Sequence, residues 1–113
     1  MKIYLAAPYT TKDKDILNAR VKAINAHAAH LMRPGQGHIV FSPISHSHYI
    51  AIENDLPTTF EFWQRQNREF IVWCDVVMVL RLNGWQESKG VADEIRYAKL
   101  IDKKVVNDEW EEM

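Results

Sequence analysis

The chain has 113 residues, 47% of them apolar and 26% charged, and a formal net charge of −1. That length suits one domain with a buried core, and the expectation is a single domain over residues 1–113. The near-neutral balance excludes the basic field that phosphate-tracking proteins need, so no nucleic-acid polymer is expected as a partner. One cysteine, Cys74, excludes an intramolecular disulfide and fits a reducing compartment. The opening MKIYLAAPYT lacks the apolar stretch of a signal peptide, and nothing approaches transmembrane length. A cytoplasmic protein without membrane contact is expected.

Residues 2–6 read as a short apolar strand ending at Ala7-Pro8. A helix is predicted over 14–32, stopped by Pro34, Gly35 and Gly37. A second strand follows at 38–41, closed by Ser42-Pro43, and then a polar, histidine-rich loop with a short helix over 43–57. Thr58 and Glu61 fit a capping box opening a helix to about Trp73. Residues 75–80, DVVMVL, have the unbroken apolar character of a buried parallel strand. A last helix over 88–101 and a strand at 104–106 complete the chain. This alternation predicts an α/β three-layer sandwich of flavodoxin-like or Rossmann-like type, with a four- or five-stranded parallel sheet. Ligands of such sheets bind at the carboxyl ends of the strands. Those ends carry residues 7–11, 42–48 and 81–88.

At 100° per residue, three polar side chains fall inside apolar arcs. Glu94 lies within the arc of Val91, Ile95, Ala98 and Ile101 in the last helix. Asn67 centres the arc of Phe60, Trp63, Phe70, Ile71 and Cys74, and Ile16, Ala23, Ile24 and Leu31 surround Arg20. A buried charge needs a partner or a task. Two readings stay open on this pattern alone. One is a structural Arg20–Glu94 ion pair with Asn67 bonded to backbone. The other is a half-buried carboxylate facing a pocket, tuned by apolar neighbours and a donor.

The strand Asp75–Leu80, followed by Glu87-Ser88-Lys89-Gly90-Val91-Ala92-Asp93-Glu94, resembles the nucleoside 2-deoxyribosyltransferase superfamily. Ile3-Tyr4-Leu5-Ala6-Ala7-Pro8-Tyr9 is similar to that superfamily's first strand and loop. Phe41-Ser42-Pro43-Ile44-Ser45-His46-Ser47-His48 and Phe62-Trp63 resemble the DUF1937 subfamily more closely. The resemblance spans nearly the whole chain. It implies that Glu94 is a nucleophile attacking the anomeric carbon, with hydrolysis by water or transfer to a second base. It implies a 5′-phosphate role for Ser88 and Gly90, which suits free N–H groups at a helix start; a serine there is also an ordinary N-cap. In one respect the chain departs from the pattern. Relatives commonly carry an aspartate eight residues before the strand aspartate, and here that residue is Asn67. Asparagine can orient Glu94 but cannot move a proton at neutral pH. Asp75 is expected at the strand's start, in a structural role.

His46 and His48 invite a metal, but no third ligand stands at a recognised spacing, so neither metal nor organic cofactor is expected. His46 is read instead as a substrate contact or general acid, or as part of a plain exposed loop. Tyr9 is a candidate to stack on or bond a nucleoside, and Trp85 to stack on the base; each is otherwise a loop aromatic. Arg20 is a candidate partner for Glu94 or a phosphate. Phe60 and Trp63 are expected in the core or a subunit interface, and Cys74 as a buried apolar residue. The leading expectation is an N-glycosidic-bond enzyme acting on a nucleoside or nucleoside 5′-monophosphate, assembled at least as a homodimer. The alternative is a non-catalytic nucleotide-binding or sensing module on the same fold.

Overall fold

The computed structural model describes residues 1–113. Its elements in chain order are β1 (Lys2–Ala6), α1 (Lys14–Met32), β2 (Ile39–Phe41), α2 (Pro43–Glu53), α3 (Phe60–Trp73), β3 (Val76–Val79), a short 3₁₀ turn (Trp85–Glu87), α4 (Lys89–Leu100) and β4 (Lys104–Asn107). The four strands form one parallel sheet in the order β2-β1-β3-β4. This is a flavodoxin-like three-layer α/β arrangement.

Alternation along the strands builds the layers, because successive strand side chains point to opposite faces. Ile3 and Leu5 of β1 join Val76 and Met78 under α1, which contributes Val21, Ile24, Ala28 and Leu31. Tyr4 and Ala6 join Val77, Val79 and Val105 on the other face, against Ile71 of α3 and Val91 and Ala98 of α4. All four residues of β3 are buried, as its run of apolar residues requires. Asp75 accepts from the Lys2 amide at 2.8 Å, so it ties the starts of β1 and β3 together, far from the strand C-ends.

Short polar residues start three of the helices. Asp13 accepts from the amides of Asp15 and Ile16 at the head of α1, Ser42 from Ser45 at α2, and Ser88 from Val91 at α4. The expected Thr58–Glu61 capping box does not form: α3 begins after Thr59 without a side-chain cap. Residues 43–53, expected mostly as loop, are an eleven-residue helix. Pro43 opens it at the first helical position, where a missing N–H costs nothing. The buried stripe of α1 is also shifted from the expected arc. Ile16 is 46% exposed, and Val21 takes its place in the core, leaving Arg20 at the stripe's edge. No helix is long and apolar enough to cross a membrane.

Candidate active site

A cavity of about 710 Å³ opens over the carboxyl ends of β1 and β3. Its walls are the loop after β1, the buried side of α2, one side of α3, and the 3₁₀ turn leading into α4. That volume suits a small-molecule ligand.

Glu94 lines this cavity from the second turn of α4. The Tyr4 hydroxyl donates to its Oε2, while Oε1 has no protein partner. Tyr4 is fully buried, and a buried phenol ordinarily finds such an acceptor. Burial pushes the Glu94 carboxyl up to about 8, opposed by the Tyr4 hydrogen bond and reinforced by the neighbouring Asp93 charge. Burial and Glu94 together drive the Tyr4 phenol well above its usual value, so it stays a donor across the working pH range. Asp93 is buried and accepts from Arg68 at 3.0 Å and Arg96 at 2.7 Å.

The Arg20–Glu94 ion pair, one of the two readings open on the sequence, is absent. Arg20 instead donates to the carbonyls of Tyr9 (3.4 Å), Thr10 (3.3 Å) and Asn83 (3.2 Å), bridging the loops after β1 and β3. Gly84 makes room for it: at φ 91° it adopts a left-handed conformation, and a Cβ there would meet Arg20 Nη2 at 2.7 Å. Asn67 lines the cavity, but the bond to Glu94 comes from Tyr4; the Asn67 carbonyl oxygen is buried without a partner.

Tyr9, Ser88 and Gly90 all line the cavity. Gly90 lets α3 and α4 approach, since a Cβ there would lie 3.3 Å from the Phe60 Cβ. His46 does not reach the cavity: it is exposed, its Nδ1 3.1 Å from the Ser47 hydroxyl. His48 takes that place, buried in the wall with Nδ1 2.7 Å from the Tyr9 hydroxyl. Trp85 is also misplaced by the sequence reading. The 3₁₀ turn directs it onto the core cluster around Tyr4 and Val91, away from the cavity. Phe60 and Trp63, expected in core or interface, line the cavity instead. No three His, Cys, Asp or Glu side chains converge as a metal site would require. Sequence reasoning missed Tyr4, Arg68 and Asp93; the one available signal was a hydroxyl-bearing residue inside the apolar strand Ile3-Tyr4-Leu5.

Residues 1–112 match the family model described as Domain of unknown function (DUF1937). The chain belongs to the DUF1937 family. A solved structure similar to this DUF1937 chain is a 2-deoxyribosyltransferase from the psychrotolerant bacterium Bacillus psychrosaccharolyticus, described as a biocatalyst for nucleoside synthesis. The two share 26% identity with a TM-score of 0.58, over 95% of this chain and 71% of that one. No curated protein matches the chain.

Proposed function

We propose that this chain cleaves the N-glycosidic bond of a nucleoside or nucleoside 5′-monophosphate, with Glu94 as the nucleophile. One observation carries the reading: among the carboxyls lining the cavity, Glu94 alone is shielded from solvent without an arginine partner, held through Oε2 by Tyr4 with Oε1 left free. The similarity to a 2-deoxyribosyltransferase supports it.

In this reading Oε1 of ionised Glu94 attacks the anomeric carbon as the base departs with the bond's electron pair. Tyr4 fixes the rotamer, so little orientational freedom is lost on reaching the transition state. Apolar surroundings make the carboxylate scarce at neutral pH but reactive where it forms, because it lacks a full hydration shell. Free N–H groups at the start of α4, beside the Ser88 hydroxyl and Lys89, form a phosphate-compatible end of the cavity.

The test is a panel of ribo- and deoxyribonucleosides and their 5′-monophosphates, with free base followed by chromatography. Base release that disappears in Glu94→Ala is the expected result. Thermal stabilisation by a nucleotide with no base release, unchanged in Glu94→Gln, would overturn it in favour of a binding module.

A further inference from the structure

The strand order places β1 between β2 and β3, so the elements that follow β2 and β3 face each other across the end of β1. Strands two positions apart stand roughly 10 Å from one another, a gap that a sugar can span. His48 of α2 enters from the β2 side and Glu94 of α4 from the β3 side, and both line the same cavity. The β1 segment anchors each of them with a tyrosine: Tyr4 bonds Glu94, and Tyr9, just past the strand, bonds His48 Nδ1 at 2.7 Å. His48 is only 5% exposed, and its Nε2 has no protein partner.

We infer that His48, oriented by Tyr9, is the general base that activates water against a glycosyl–Glu94 ester, which makes the reaction a hydrolysis; this rests on the proposed role of Glu94. The other polar groups of the cavity are less suited. Asp93 is committed to two arginines, Glu61 and Glu87 are exposed at the rim, and Asn67 cannot accept a proton. Burial holds the His48 imidazole below its usual pKa, so the neutral form that a base requires prevails at neutral pH. The titratable groups around it are Tyr9 from the loop after β1, Lys22 from α1, and Tyr49 of α2, whose ring lies edge-on at 4.9 Å. None is a carboxylate that would favour the imidazolium.

The role requires the Nδ1–H tautomer, and the Tyr9 hydroxyl, able to donate or accept, is compatible with it. With Nδ1–H donating to the Tyr9 oxygen, the Nε2 lone pair is free for the water proton. In the first half-reaction the bond from the anomeric carbon to Glu94 Oε1 forms, and the C–N bond breaks. The base keeps the electron pair and takes a proton from solvent. In the second, the water oxygen bonds the anomeric carbon while its proton passes to His48 Nε2. The bond from the anomeric carbon to Glu94 breaks as the water oxygen bonds, its electron pair returns to the Glu94 carboxylate, and His48 releases its proton to solvent.

The test uses rapid quenching and intact mass spectrometry, with the nucleoside or nucleoside monophosphate that the parent cleaves fastest. His48→Gln is expected to release close to one equivalent of base per chain at within about threefold of the parent rate. Turnover after that burst falls about 100-fold or more, and a sugar-sized mass accumulates on Glu94. Tyr9→Phe preserves the ring and is expected to show the same partition more mildly, about tenfold, so the test stands even where His48→Gln folds poorly. Turnover unchanged in His48→Gln, or burst and turnover slowed alike, overturns the assignment of His48 while leaving Glu94 in place. Absence of base release by the parent across the whole panel overturns Glu94 and His48 together.

Discussion

Tyr4 and Glu94 stand 90 residues apart in sequence and share one hydrogen bond at the wall of the cavity. The phenol stabilises the ionised carboxyl, against burial that favours the neutral form. Tyr4→Phe removes that donor while keeping the ring in the core. The Glu94 pKa is then expected to rise further, moving the acid limb of kcat/KM to higher pH and lowering the rate at neutral pH by about tenfold or more. Loss of the buried bond is expected to cost about 1–3 kcal/mol of stability. A pH–rate profile beside a denaturation curve separates the two effects. An unchanged profile would show that Tyr4 does not tune the carboxyl.

Asp93 acts on Glu94 in the opposite sense. Its charge raises the Glu94 pKa, and its two arginine partners hold it beside the cavity. Asp93→Asn is expected to move the acid limb of kcat/KM to lower pH, opposite to Tyr4→Phe. Its stability cost is expected at about 1–3 kcal/mol, below that of a fully buried pair, because Arg96 is 72% exposed and Arg68 33% exposed. A limb that moves the same way in both variants would contradict this electrostatic account.

Folding stability carries the same carboxyl. The folded pKa of about 8 exceeds the ordinary carboxyl value of 4.5, so between these pH values the native state binds more protons than the unfolded chain. Stability therefore contains a contribution fully present below about 4.5 that is lost as pH rises through about 8. Glu94→Gln is neutral throughout and lacks this slope. Relative to the parent, it is expected to gain stability from pH 5 upward, reaching on the order of a few kcal/mol by pH 9. Chemical denaturation of both proteins at several pH values checks this, and parallel curves would show that Glu94 ionises at its ordinary value.

How much of this was legible depended on the range of the interactions involved. The bounds of β1 and α1 could be read directly, because an apolar run, a helix-length apolar periodicity and the Pro34 stop are local signals. Glu94 announced itself on the helix wheel for the same reason. Tyr4 did not, since tyrosine passes for an ordinary strand residue until its partner across the fold is known. The histidines were misassigned through secondary structure. On a helix, residues two apart point about 200° apart, so once 43–53 is helical only one of His46 and His48 can face the cavity. The Ser42-Pro43 pair, read as the close of a strand, was in fact the N-cap and first residue of that helix. Arg20 fell inside a wheel arc drawn one residue off the true buried stripe, which hid its reach to the loop carbonyls.

The Arg20 clamp can be tested through Gly84. Alanine at this position would bring a methyl group to 2.7 Å from Arg20 Nη2 and force a side chain into a left-handed backbone at φ 91°. Gly84→Ala is therefore expected to destabilise the fold by about 1–2 kcal/mol. It is also expected to displace the guanidinium from the Asn83 carbonyl, loosening the loops that carry Tyr9 and Ser88. KM should rise severalfold more than kcat falls, because the clamp shapes the cavity's rim rather than the carboxylate. Equal losses in both constants would instead place Gly84 in the catalytic step.

Ser88 separates cap from ligand. Its Oγ accepts from the Val91 amide at 3.2 Å, so Ser88→Ala is expected to cost about 1 kcal/mol of stability through the lost cap alone. If the head of α4 also receives a 5′-phosphate, the same change raises KM for nucleoside monophosphates several-fold while leaving the matching nucleosides nearly unaffected. Measuring both substrate classes on one variant makes the stability loss an internal control, since it acts on each class equally. A KM change that ignores the phosphate would reduce Ser88 to its capping role and put the anion, if one binds, elsewhere along the cavity.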